Sequence, residues 1–153
     1  MHIGNEYFDI PKGREVYAER LKSRFPGEAN GIDRYLATCA RISNQLSDDF
    51  EIRTCGGAIK SGWRKRDVIF QGLLPLDRFL DWFIKDPLLR AILTIQSGDH
   101  GVGPRRALTA IHVAVVSHYF DGGWYPMGGA KVLPKAFIKQ LRRCGGEISV
   151  VPS

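Results

Sequence analysis

Apolar residues recur at helical spacing along most of the chain. From Arg14 onward Tyr17, Leu21 and Phe25 follow one another every fourth position with charged residues between them. That spacing predicts a first helix, which Pro26-Gly27 ends. A second helix is expected over 28–46, where Ile32, Tyr35, Leu36, Cys39, Ile42 and Leu46 lie on one stripe. Gly31 near its start lowers its helix propensity. The stretch 73–84 returns to the same period through Leu76, Phe79, Leu80 and Phe83. Asp86-Pro87 reads as a helix start, because aspartate caps free amides and proline fits the first helical position. Leu88, Leu89, Ile92 and Leu93 then share one face as far as Gln96-Ser97-Gly98. The run 105–120 is too long for one buried strand and reads as a helix, with Leu108, Ile111, Val115 and Tyr119 in register. Ala107, Ala110 and Ala114 would allow close packing there. A last helix carries Val132, Leu133, Phe137 and Leu141 inward and stops at Gly145-Gly146.

Extended structure is sparse. The stretch 7–11 (YFDIP) is aromatic and ends at a proline, as an edge strand would. The stretch 51–55 is a strand candidate inside the least readable region, 47–66, where Gly56-Gly57 and Gly62 mark turns. The stretch 147–151 (EISVV) looks like a strand beginning. The expected class is α+β and helix-dominated, about six helices with a few short strands that join a sheet completed elsewhere.

Composition narrows the class without naming a task. At 153 residues, 44% hydrophobic and 25% charged, the chain can build one domain with a real core. No apolar run reaches the ~20 residues a membrane span needs. The N-terminus lacks the apolar core of a secretory signal, so a cytoplasmic chain is expected, with peripheral membrane association compatible. The net charge of +6 admits an acidic partner. Yet the cations are interleaved with acids except around 60–66 and 135–143. Cys39, Cys55 and Cys144 match no zinc or CxxC spacing, and His2, His100, His112 and His118 form no ligand cluster, so no metal is expected. Asp99 and His100, in the glycine-rich loop SGDHGVGP, allow either proton transfer or plain turn chemistry. No catalytic side chain stands out.

The stretch 118–129, HYFDGGWYPMGG, is the most informative. Two Gly-Gly pairs lie among aromatics between two helices. Glycine pairs let another molecule approach the backbone, and a helix start after Gly128-Gly129 offers amide donors to an electron-rich ligand. A packed structural turn is the competing reading.

In order, GDHGVGP, the helix ending in HYFDGGWYPMGG, the following helix and RRCGGEISVV resemble the flavin-dependent phytoene desaturase, carotenoid isomerase and retinol saturase group. There a YPxGG turn, a helix and a GGxI strand follow in that order. The opening FDIPKGREVYAERLKSRFPGEANGIDRYL is similar to that group's substrate-domain entry. The likeness runs from Tyr7 to Val151 and is weakest over 47–66. It implies one part of a two-domain flavoprotein, with a substrate or lid segment over 1–130 and a helix and strand returning to the FAD-binding domain over 131–153. It implies FAD as cofactor, a lipophilic polyene as substrate, and desaturation, saturation or isomerisation as the reaction. Tyr125, Pro126, Gly128 and Gly129 would face the flavin, and Tyr119, Trp124 and Met127 the substrate tunnel. The group's Rossmann unit, with its GxGxxG fingerprint after a strand, has no counterpart in this sequence. The chain therefore looks like an internal piece that would bind FAD poorly by itself, its partners being the two halves of the FAD-binding domain, with no nucleic acid. The competing reading from charge is a basic helical module for nucleic acid or an anionic membrane, resting on +6, Trp63 and the cations of the last helix. A helical interaction domain without chemistry is the third.

Overall fold

The structure is a computed structural model that describes residues 2–3, 6–47 and 62–149. It contains two compact units, Met1–Gly122 and Gly123–Ser153. In the first unit β1 (His2–Ile3) pairs antiparallel with β2 (Glu6–Tyr7). The helices α1 (Arg14–Arg24) and α2 (Ala29–Ser47) are joined by a turn of 3-10 helix at Pro26–Glu28. A π-helical turn, Val68–Gly72, leads to α3 (Leu76–Asp81) and α4 (Pro87–Thr94). A 3-10 stretch, Ile95–His100, precedes α5 (Thr109–Phe120). The second unit holds α6 (Val132–Arg143).

The helix α2 organises the first unit. Its stripe faces inward as expected: Ile32, Tyr35, Leu36, Cys39 and Ile42 are buried, and the helix packs on α1 and α5. Leu46, at the end of the stripe, is exposed. Leu76, Phe79, Leu80, Ile84, Leu89 and Ile92 complete the core from α3, α4 and their connection. Two aromatic clusters sit in it. Phe79 lies 5.1 Å from Phe83 and 5.9 Å from Tyr35 between ring centroids. Tyr17 lies 6.2 Å from Phe8 and 5.8 Å from Phe120. Such tilted and edge-on pairs add to plain area burial because ring edges and faces carry opposite partial charge.

The Asp86-Pro87 start behaves as its chemistry requires. The Asp86 carboxylate accepts the Leu89 amide at 2.9 Å, and Pro87 occupies the first helical position.

Several expectations are corrected. The expected helix over 73–84 is shorter at both ends: Pro75 is extended and bridges to Leu108, so α3 begins only at Leu76, and it stops at Asp81. The helix read over 105–120 begins at Thr109, because Leu108 instead bridges to Pro75 as extended backbone. Its buried face is also different. Leu108, Ile111 and Tyr119 are exposed and Val115 is half-buried, whereas Thr109, Ala110, His112, Val113 and Val116 are buried. This helix is apolar on nearly all sides, so spacing could not choose a face. In α6 the residues read as inward, Val132, Leu133, Phe137 and Leu141, are all exposed. The helix is amphipathic, but among the described residues of its own unit no second layer covers the apolar side. The edge-strand reading of 7–11 survives only at Tyr7, paired in a hairpin whose first strand was not foreseen. Residues 147–149 are in no strand. The strand candidate at 51–55, Cys55, and Val150-Val151 lie outside the described residues.

Candidate functional site

The sequence Tyr125-Pro126-Met127-Gly128-Gly129 forms a closed turn. The Gly129 amide donates to the Pro126 carbonyl at 3.0 Å. Gly128, in the third position of that turn, has φ +88°, and Gly129 has φ +83°. Positive φ in the third position is the geometry of a type II turn, which glycine adopts without steric cost. The turn runs directly into α6: Val132 and Leu133 donate to the Gly129 and Ala130 carbonyls at 3.1 and 3.2 Å. The Ala130 amide donates to the Tyr125 hydroxyl at 3.2 Å. Donors expected to await a ligand at this helix start are thus used inside the turn at Gly129 and Ala130.

What the turn leaves open is backbone and rings. A Cβ on Gly129 would meet only the Tyr125 hydroxyl oxygen, at 3.9 Å. Tyr125, Trp124 and Met127 are 76%, 87% and 95% exposed. Tyr125, Pro126, Gly128 and Gly129 are therefore brought together, with Trp124 and Met127 beside them in sequence. Their shape fits contact with a planar ring system such as a flavin's, since glycine backbone carries no side chain to hold a ring away. They offer no cradle for a pyrophosphate.

Tyr119 belongs to the other compact unit. Its hydroxyl donates to the Asp99 carboxylate at 2.7 Å, and that hydrogen bond, with the charge behind it, raises its pKa. Asp99 is thus a partner of Tyr119, and the side chain of His100 lies outside the described residues. His112 is fully buried, with Nε2 3.0 Å from the Leu93 carbonyl oxygen, which anchors α5 to α4. Cys39 is buried, and burial pushes its thiol up to about 12. Among the described residues no group of three His, Cys, Asp or Glu side chains could hold a metal. Trp63 is 74% exposed with the Arg66 guanidinium 5.5 Å from its ring centroid.

Two grooves in the first unit escaped the sequence reading. One, of about 510 Å³, is lined by Arg34, Thr38, Arg41, Gln71, Trp82 and Phe83. The other, of about 440 Å³, lies between α3, α4 and the loop carrying Gly103 to Arg106. The helical spacing of Arg34, Thr38 and Arg41 along α2 could have suggested the first. The second joins residues from three segments and left no local signal.

No protein-family model matches the chain, and no solved structure matches it. Curated relatives do. An all-trans-retinol 13,14-reductase of Danio rerio is 28% identical over 151 residues, covering 94% of this chain and 25% of the relative. Proteins of the same name from Macaca fascicularis and Homo sapiens are each 24% identical over 95% of this chain and 25% of the relative. The chain spans about a quarter of the length of the relatives it matches. The resemblance carried by GDHGVGP, YPMGG and GGEI is borne out in its retinol saturase branch: along nearly its whole length this chain is homologous to one segment of the all-trans-retinol 13,14-reductases.

Proposed function

We propose that the chain is the substrate-domain part of an FAD-dependent oxidoreductase that reduces a double bond of a retinoid-type polyene. The observation that carries this is the similarity to all-trans-retinol 13,14-reductase over 94% of the chain. When bound, a flavin supplies the hydride chemistry, and the protein positions and shields it. In this reading residues 1–130 wall the polyene site and residues 131–153 return to the flavin domain. Tyr125, Pro126, Gly128 and Gly129 present backbone and one ring to the flavin. Trp124, Met127 and Tyr119 line the path of the substrate. The exposed apolar side of α6, Leu133, Phe137 and Leu141, supports docking against the remainder of the longer protein, because uncovered patches of that kind mark interaction surfaces.

Desaturation and isomerisation of related polyenes are the neighbouring reactions in the same group. Peripheral membrane contact, which would give access to a lipophilic substrate, belongs to the same proposal. No described helix is long and apolar enough to cross a membrane. A basic binding module remains the second reading, favoured by Lys131, Lys135, Lys139, Arg142 and Arg143, with no acid among residues 131–146. Its binding to DNA, RNA or anionic vesicles would weaken steeply with salt.

The test uses the complete parent protein. Purified material should show flavin absorbance and convert all-trans-retinol to a product with one double bond fewer when a reductant is supplied. Complete protein that folds without retaining flavin would sink the reading. Flavin retention with oxidation or isomerisation instead would move it to a neighbouring reaction.

A further inference from the structure

The groove between α3, α4 and the 103–106 loop carries an inference that does not rest on the redox reading. Its floor is apolar: Leu80 is 1% exposed, and Ala91 and Pro104 are half-buried. One wall is fixed by Arg90. That guanidinium is ion-paired with Asp81, donates to the Asp77 carbonyl at 3.1 Å, and has a side chain only 28% exposed. The rim formed by the 103–106 loop carries Arg105 and Arg106, both exposed. Neither makes an ion pair or side-chain hydrogen bond among the described residues. The Asp77 carboxylate, also on the lining, accepts the Arg78 amide at 2.8 Å.

This rim is not loosely attached. The Asp77 amide donates to the Pro104 carbonyl at 3.2 Å and the Leu76 amide to the Ala107 carbonyl at 2.9 Å. The Arg106 and Ala107 amides close a turn on the Gly103 carbonyl at 2.9 and 3.0 Å. The arginine pair is therefore held in register with α3. At about 440 Å³ the groove falls in the size range of small-molecule sites.

We infer that this groove binds a small amphipathic anion, a carboxylate or phosphate head on an apolar tail, with the head on Arg105 and Arg106 and the tail along Leu80, Ala91 and Pro104. The planar guanidinium matches either head group in bidentate fashion. A bare hydrated anion would leave the apolar floor unused, and a neutral tail would leave two adjacent cations unmatched. The same head-and-tail chemistry exists in free amphiphiles and in bilayer lipids. The concave lining, set between two helices, selects a free molecule that can enter it.

The experiment titrates the full chain by calorimetry with dodecanoate and dodecyl phosphate below their micelle-forming concentrations. Inorganic phosphate serves as the head alone and dodecanol as the tail alone. Both amphiphiles should bind saturably, and each isolated part at least about tenfold more weakly. The pair Arg105→Ala with Arg106→Ala should weaken amphiphile binding about tenfold or more. Ala91→Trp, which fills the floor, should weaken it without changing charge. The paired arginine variant changes only exposed side chains, so it keeps the test decisive if the Ala91 variant misfolds. Absence of saturable binding, or binding indifferent to the arginine pair, overturns the inference. Binding to phosphatidylglycerol vesicles that needs Arg105 and Arg106, with no binding of free amphiphiles, overturns it in favour of a lipid surface.

Discussion

A Cβ placed on Gly31 would stand 2.2 Å from the carbonyl oxygen of Phe83. The first turn of α2 and the chain leaving α3 meet backbone to backbone there. The sequence suggests that glycine weakens this helix, and propensity alone favours alanine by roughly 0.5–1 kcal/mol. The contact reverses the sign. A backbone oxygen cannot swing aside as a flexible side chain can, so one of the two segments must shift. Overpacking of this kind costs roughly 1–3 kcal/mol, and the net expectation for Gly31→Ala is destabilisation of about 1–2 kcal/mol. Urea denaturation checks it. A midpoint equal to or above that of the parent chain would show that the junction yields freely.

The neighbouring Glu28 ties the same junction. Its Oε1 accepts the Lys85 and Asp86 amides, each at 2.8 Å, just ahead of α4. One half-buried carboxylate thus serves two amides far away in sequence. Glu28→Ala leaves both to water and should cost about 1–2 kcal/mol, with Glu28→Gln, which keeps an acceptor oxygen, costing less. Since Gly31 and Glu28 act on one contact, the double variant should lose less than the sum of the singles. Strict additivity in thermal or urea unfolding would show that the two contacts are independent.

These two contacts mark where sequence reading stops. The α2 stripe and the Asp86-Pro87 start were legible because a helix period and a cap act within a few residues. The tight turn at Tyr125 to Gly129 was legible because only glycine tolerates its positive φ. The buried face of α5 was not, because Ile111 and Val113 are equally apolar and only the packing of α2 separates them. Gly31 against Phe83, Glu28 under Lys85 and the groove edged by Arg105 and Arg106 join distant segments. Nothing in the spacing of one segment announces them. The exposed side of α6 was misread for a related reason: amphipathic spacing states that a face wants covering, not what covers it.

Alkaline pH should unfold the first unit more readily than its surface charge suggests. Burial pushes the Cys39 thiol from its ordinary 9.0 up to about 12, against a lowering hydrogen bond from Tyr35. Burial also raises Tyr35 and Tyr17, with the negative charge of an ionised Cys39 adding to both. Below about pH 9 the thiol is protonated in folded and unfolded chains alike, and its contribution is fully present. Between about 9 and about 12 only the unfolded chain ionises, so stability falls by up to about 1.4 kcal/mol per pH unit for this group. The two tyrosines extend the loss above about pH 10. Urea midpoints should therefore drop between neutral pH and about pH 10.5, and Cys39→Ser, which does not ionise there, should flatten the first part of the drop. An unchanged midpoint would contradict the burial of this cluster.

Gly128 and Gly129 allow the structural role of the turn to be told apart from its proposed flavin-facing role. Both have positive φ, so alanine at either costs about 1–2 kcal/mol of local strain. Only Gly128 is also crowded: its Cβ would meet Val132 Cγ2 at 2.9 Å, whereas Gly129 faces open space up to the Tyr125 hydroxyl oxygen. Gly128→Ala should therefore loosen the start of α6 more, seen as faster hydrogen exchange at the Val132 and Leu133 amides. Gly129→Ala should disturb those amides less. If the proposed flavin-binding reading holds, the longer protein carrying Gly129→Ala should instead retain less flavin, because the methyl group would occupy the uncovered side of the turn. The discriminating result is the pair of readouts together. If Gly129→Ala leaves flavin retention intact while Gly128→Ala alone weakens it, the turn acts by shaping α6, and the flavin-facing role of Gly129 fails.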